Sequence, residues 1–159
     1  MKLKRITKTN EAFPAAGSTW IVPEVTYVIL PDGKQGLQKS EINRIHRAVA
    51  NQLCGKSTIM SGRELEFLCS ITQTSLSKVA ERFQVNKSTV SRWKHHSNGV
   101  PVAVGNTLKR WFWFKIFGAE VADRQVSMLI LRDDTEFLNF ARRQAITQNL
   151  TTEVHREAA

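Results

Sequence analysis

Val85-Asn86-Lys87-Ser88-Thr89-Val90-Ser91-Arg92-Trp93-Lys94 is the stretch on which the reading of this chain turns. Asn86 is suited to cap a helix, and Val85 and Val90 can close over that cap as a hydrophobic staple. At about 100° per residue, Val90 and Trp93 share one face of the helix. Ser88, Ser91, Arg92 and His95 share the opposite face, with Lys87 beside them. An ordinary solvated helix interleaves Glu and Lys, whereas this face carries no acid. Short hydroxyls let a helix backbone come close to a groove floor, and Arg presents a fork that matches guanine O6 and N7.

The residues just upstream extend the pattern. Leu76, Val79, Ala80 and Phe83 recur at i, i+3, i+4 and i+7, which predicts an amphipathic helix over Ser75–Phe83 with Ser75 as its cap. Only Gln84 and Val85 separate it from Asn86, and the small Ala80 allows two crossing helices to approach closely. Two helices joined this tightly form a helix-turn-helix whose second helix reads duplex DNA. The turn position held by Gln84 is usually Gly, because it often requires φ > 0. Gln there costs about 1 kcal/mol.

The chain has 159 residues, a net charge of +9 and 42% hydrophobic residues, enough for a core and suited to a polyanionic partner. Between Gln73 and Lys115 eight lysines and arginines face Glu81 alone, whereas from Gly118 onward five arginines face seven acids. The positive charge is thus expected on the reading module. Cys54 and Cys69 fall on apolar helical stripes without metal spacing, and are expected to be buried free thiols of a reducing cytoplasm. No apolar run approaches the roughly 18 residues of a membrane span. Basic Met1–Lys8 lacks a signal-peptide core and is expected to be a solvated end rather than a DNA-contacting arm.

Residues 1–19 read as a flexible lead-in, and Val25–Leu30, after the interrupting Pro23, as a strand ended by the turn Pro31-Asp32-Gly33. Ser40 is expected to cap a helix with Ile42, Ile45, Val49 and Leu53 on one stripe and Gly55 at its end. Ser61-Gly62-Arg63-Glu64 has the capping-box pattern. After the reading helix, Pro101 suits the first turn of a helix over Val102–Phe117, stopped by Gly118. The fold class that follows is mainly α: a five-helix core with a possible small β element from the extensions. Its organisation would be an extension (1–39), a DNA-binding domain (40–118) and an oligomerising extension (119–159).

Trp111-Phe112-Trp113-Phe114, with Phe117, points around the whole helix circumference, so one side must be covered from outside the domain core. The N-terminal strand or C-terminal segment could cover it, a subunit interface could, or both. Val126–Leu131 reads as a strand pairing with Val25–Leu30 or as mid-helix, Asp133 opens a helix to about Asn149, and Leu150–Ala159 reads as a frayed tail.

Catalytic patterns are missing, and the chain is expected not to be an enzyme. His46 sits at a core boundary, and His95-His96 lacks Cys or carboxylate neighbours at zinc spacing, so phosphate or solvent contact is the better use of the pair. Asp133-Asp134 fits a helix cap better than a two-metal pair. No phosphate loop or nucleophile elbow occurs, and neither cofactor nor metal is expected.

Residues 75–118, and above all 85–94, resemble the CII-type transcriptional activators of lambdoid phages. More loosely, they resemble the Cro/repressor-like helix-turn-helix proteins. The resemblance implies major-groove binding to directly repeated half-sites, a homo-oligomer built through a C-terminal helix, and help to host RNA polymerase. Residues 120–149 would take the oligomerising role by position. The chain departs from the compact activators in its long N-terminal extension, in Gln84, and in the break Ser97–Val100.

The reading is a sequence-specific double-stranded-DNA-binding regulator in a bacterial cytoplasm, with Lys78, Asn86, Lys87, Ser88, Thr89, Ser91, Arg92, Lys94 and His95 as the contact set. Lys78 and Lys94 would bind phosphates; Lys87, Ser88, Ser91 and Arg92 would meet base edges. A repressor or antitoxin-like autoregulator shares every one of these features. A protein-interaction module that lost DNA binding is disfavoured by the acid-free face, and a recombinase by the lack of room for a catalytic domain.

Overall fold

The computed structural model describes residues 2–56, 58–95 and 99–118, and the backbone of a short strand at 155–156. The elements in chain order are β1 (Arg5–Ala15), β2 (Ser18–Ile29), β3 (Gln35–Gly36), α1 (Lys39–Gly55), α2 (Gly62–Thr72), α3 (Leu76–Phe83), α4 (Lys87–His95), α5 (Val102–Phe117) and β4 (His155–Arg156). The expectation of a mainly α protein is overturned. Among the described residues five helices share the fold with an antiparallel sheet of order β1-β2-β3, with β4 also on β2, which makes the architecture mixed α/β.

The expected lead-in is strand β1, paired with β2 over almost its whole length from Arg5↔Val28 to Ala15↔Ser18. Ala16 (φ 53°) and Gly17 (φ 74°) close the hairpin, the two positive φ values that a two-residue type I′ turn needs. Trp20 Nε1 donates to Ala15 O at 3.0 Å across this tip. Pro23 does not end the strand. It stands opposite Asn10, between the pairs Thr9↔Glu24 and Glu11↔Val22, and Asn10 takes φ 52° there. Proline has no N–H to offer the ladder, and Asn tolerates the left-handed region.

Both strands change face at this point. The more buried positions are Glu11, Phe13 and Ala15 on one side of Asn10 but Ile6 and Lys8 on the other. On β2 they pass from Trp20 and Val22 to Val25. The turn at Pro31–Gly33 then leads into β3, with Gly33 at φ 84°. The expected frayed tail also pairs in part: His155 and Arg156 lie opposite Ile21 and Trp20.

Helix α1 starts at Lys39 with Gln38 in the cap position and no side-chain cap bond, so Ser40 is not the cap. Its first turn is held instead by Glu41, which accepts from the Thr26 N–H and from Arg44 Nε, each at 2.6 Å. One stripe of α1 (Ile45, Ala48, Val49, Leu53) packs on Trp20, Val22 and Val25; Ala50 and Cys54 enter a second cluster made by α2 to α5. Phe67 touches both. Burying each large apolar side chain contributes about 1.5–3 kcal/mol, so α1 ties sheet and helices together by packing.

The aromatic girdle is mainly internal: Phe112, Trp113 and Phe117 are buried. Within the helical unit α1 packs on this girdle, and its Asn51 Oδ1 accepts from Trp113 Nε1 at 3.2 Å. Trp111 and Phe114 lie half-buried at the rim. The segment 126–131, expected as a strand or as mid-helix, the helix from Asp133 to Asn149 and the oligomerising role of 120–149 lie outside the described residues. Among the described residues, no helix is long and apolar enough to cross a membrane.

Candidate nucleic-acid interface

Helices α3 and α4 are joined by Gln84 and Val85, with Asn86 in the cap position. Ser75 Oγ accepts the Lys78 N–H at 3.2 Å and caps α3. At its other end Gln84 takes φ 53°, ψ 43°, the left-handed conformation anticipated for that site. The Val85 N–H reaches Ala80 O at 3.0 Å and the Gln84 N–H reaches Glu81 O at 3.2 Å, the bond pair of a Schellman motif. Asn86 O accepts from the Thr89 and Val90 N–H groups and starts α4.

The phase of α4 follows from its buried side chains. Val90 and Trp93 are 0% and 8% exposed, packed with Val79, Ala80 and Leu65 and flanked by Val85. That burial turns Asn86, Lys87, Ser88, Arg92 and His95 outward, with Thr89, Ser91 and Lys94 half-buried along the margins. Arg92 Nη2 lies 3.3 Å from Thr89 Oγ1, and its guanidinium fork stays exposed. Lys78, in the first turn of α3, is exposed as well.

Lys94 is placed differently from the expectation of a free phosphate ligand. Its Nζ lies 3.3 Å from Glu66 Oε1 of α2, so one carboxylate does reach the margin of the face. Nothing in 85–95 signals this, because the partner sits on another helix. Gly62, at the start of α2, is the related feature: a Cβ there would stand 2.0 Å from Lys94 O and 2.8 Å from Trp93 O. The helices touch backbone to backbone. A Gly within a capping box, where better helix formers are available, is the sequence trace of that approach.

The start of α2 is itself pinned. Ser61 and Glu64 complete the capping box, and Glu64 Oε1 also takes Lys56 Nζ at 2.5 Å. Lys109, 4% exposed, reaches from α5 to donate to Lys56 O and Thr58 O at 2.8 and 2.7 Å. Burial, with Lys56 nearby, lowers its pKa. Lys109 therefore serves the interior, and Lys115 lies 4.6 Å from the Trp111 ring centroid on its own helix. The basic run 73–115 is thus divided between the outer face of α3–α4 and the scaffold behind it, rather than gathered on the reading face.

Cys54 and Cys69 are free and buried, and burial pushes their thiols up to about 12 and about 11. Among the described residues no group of three or more His, Cys, Asp or Glu could hold a metal ion. No protein-family model, curated protein or solved structure matches the chain.

Proposed function

We propose that the protein is a sequence-specific double-stranded-DNA-binding transcriptional regulator, of the kind the phage CII-type activators represent. The observation that carries this reading is the exposed row Lys87, Ser88, Arg92 and His95 on a helix anchored by Val90 and Trp93. A helix held so firmly on one side, with only hydroxyls, amides and cations on the other, suits a major groove and has little use in bulk solvent. Asn86, Lys87, Ser88, Ser91 and Arg92 would meet base edges. Lys78, Thr89, Lys94 and His95 would meet phosphates or the groove wall.

A single helix-turn-helix spans only a few base pairs, so the reading includes a homo-oligomer on repeated half-sites, placed to assist host RNA polymerase. Selection of bound duplexes from a random pool tests it. An enriched motif with fixed half-site spacing is expected. Equal retention of all sequences would overturn it.

A further inference from the structure

We propose that Arg63 of α2 and the tip of the β1–β2 hairpin form a second contact with the duplex, on the sugar–phosphate backbone beyond the C-terminal end of α4. The inference rests on the DNA-binding reading and extends its site to residues far from 85–95 in the chain. Two close approaches build the surface. A Cβ at Gly62 would stand 2.0 Å from Lys94 O, so the first turn of α2 lies on the end of α4. A Cβ at Gly17 would stand 2.5 Å from Arg63 Cδ and 3.0 Å from its Cβ, so the aliphatic stem of Arg63 lies across the hairpin tip. Gly17, Arg63, Gly62 and Lys94 thus form one continuous chain of contacts. Glu66, one turn after Arg63 on α2, reaches Lys94 Nζ at 3.3 Å, which sets that face of α2 beside the margin of the reading helix.

The acids of this part of α2 have other partners. Glu66 is paired with Lys94, and Glu64 is buried and takes Lys56 Nζ. Arg63 is exposed, and among the described residues no hydrogen bond or ion pair holds its guanidinium. Its place in the helix gives no reason for a cation, because the dipole disfavours positive charge in the first turn. An anion from outside the protein supplies one. The stem packed on Gly17 limits the freedom lost when the head binds, and the planar fork suits phosphate oxygens. Ala16 and Gly17 bring no charge to the tip, and Gly17 is exposed without a side chain to hold a polyanion away. Exposed His95, at the end of α4, carries the polar surface from the reading face toward this contact. The hairpin, which has no part in 75–118, thereby gains a role: it braces a phosphate ligand.

Binding of the full chain to the selected duplex and to an unrelated one, between about 50 and 200 mM salt, tests the inference. Losing one phosphate contact makes the fall in affinity across that range about threefold to fourfold smaller. That is the result expected for Arg63→Gln on both duplexes, at an unchanged melting temperature and an unchanged mismatch profile. Ala16 has φ 53°, and Asn or Asp before Gly suits such a turn, so Ala16→Asn and Ala16→Asp share a fold and differ by one charge. The Asp variant should bind about threefold more weakly than the Asn variant. A scan of single uncharged methylphosphonate linkages should find a flanking phosphate whose neutralisation weakens the parent but not Arg63→Gln. Parent-like salt dependence in Arg63→Gln overturns the inference, and so does equal binding by the two Ala16 variants. A parent that binds both duplexes alike overturns the sequence-specific reading alone, because the slopes still report Arg63. A parent that binds neither overturns both.

Discussion

Gly62 lies against the carbonyl of Lys94 so closely that any side chain at position 62 would enter the space of the α4 backbone. That contact joins the scaffold to the C-terminal end of the helix proposed to read DNA. Gly62→Ala must push α2 and α4 apart, because neither partner is a flexible side chain. Overpacking of this kind costs about 1–3 kcal/mol. We expect a lower denaturation midpoint and weaker binding to the selected duplex. A parent-like melt with parent-like binding would show that the two helices separate freely.

Arg92→Ala should cost about 1–3 kcal/mol at the selected site and relax one base position. The residue is exposed and its one described polar contact is to Thr89 Oγ1, so its removal leaves the fold intact. Binding measured on matched and single-mismatch duplexes checks this. An unchanged mismatch profile would place Arg92 off the bases.

Glu66→Gln should tighten binding to specific and non-specific duplexes alike. The pair it forms with Lys94 is half open to solvent (side chains 58% and 25% exposed) and so contributes little to folding. Breaking it frees one cation for phosphate, and the salt slope should steepen by up to about one unit. Lys94→Ala should make the slope shallower. Slopes identical in parent and both variants would mean that neither residue approaches the backbone.

Gln84→Gly is expected to stabilise the protein. A side chain in the left-handed region costs roughly 1–2 kcal/mol, while Gly gives back about 0.4–1 kcal/mol through the unfolded chain. The net gain should be near 0.5 kcal/mol, seen as a higher denaturant midpoint at unchanged slope. A loss of stability would mean that the Gln84 side chain contributes more than its backbone strain costs.

His46 sets a pH dependence. Its ring stands edge-on to Phe13 and Phe67, and burial lowers its pKa. The unfolded chain therefore takes up the imidazole proton first as pH falls. Stability is intact above the unfolded value of about 6.5 and declines as pH drops through it toward the lower folded value. Melting temperatures between about pH 7.5 and 5.5 should fall in the parent and fall less in His46→Gln. Equal slopes would assign the loss to other groups.

What the sequence by itself determined is the local part of the molecule. Capping at Ser61 and Ser75, the left-handed turn at Gln84, and the inward phase of Val90 and Trp93 depend on residues within a turn or two of one another. Periodicity and cap chemistry report such short-range physics directly. Strand β1 escaped because its more buried positions include Lys8 and Glu11 and because both strands change face at Asn10 and Pro23, which breaks the alternation that marks a strand. The rest was decided only in three dimensions. The packing of α1 on the aromatic girdle, the inward turn of Lys109 and the Glu66–Lys94 pair each join residues far apart in the chain. The charge and shape of each are visible locally, but the partner is chosen by how helices and sheet pack to bury Trp20 in one cluster and Leu65 and Trp113 in the other.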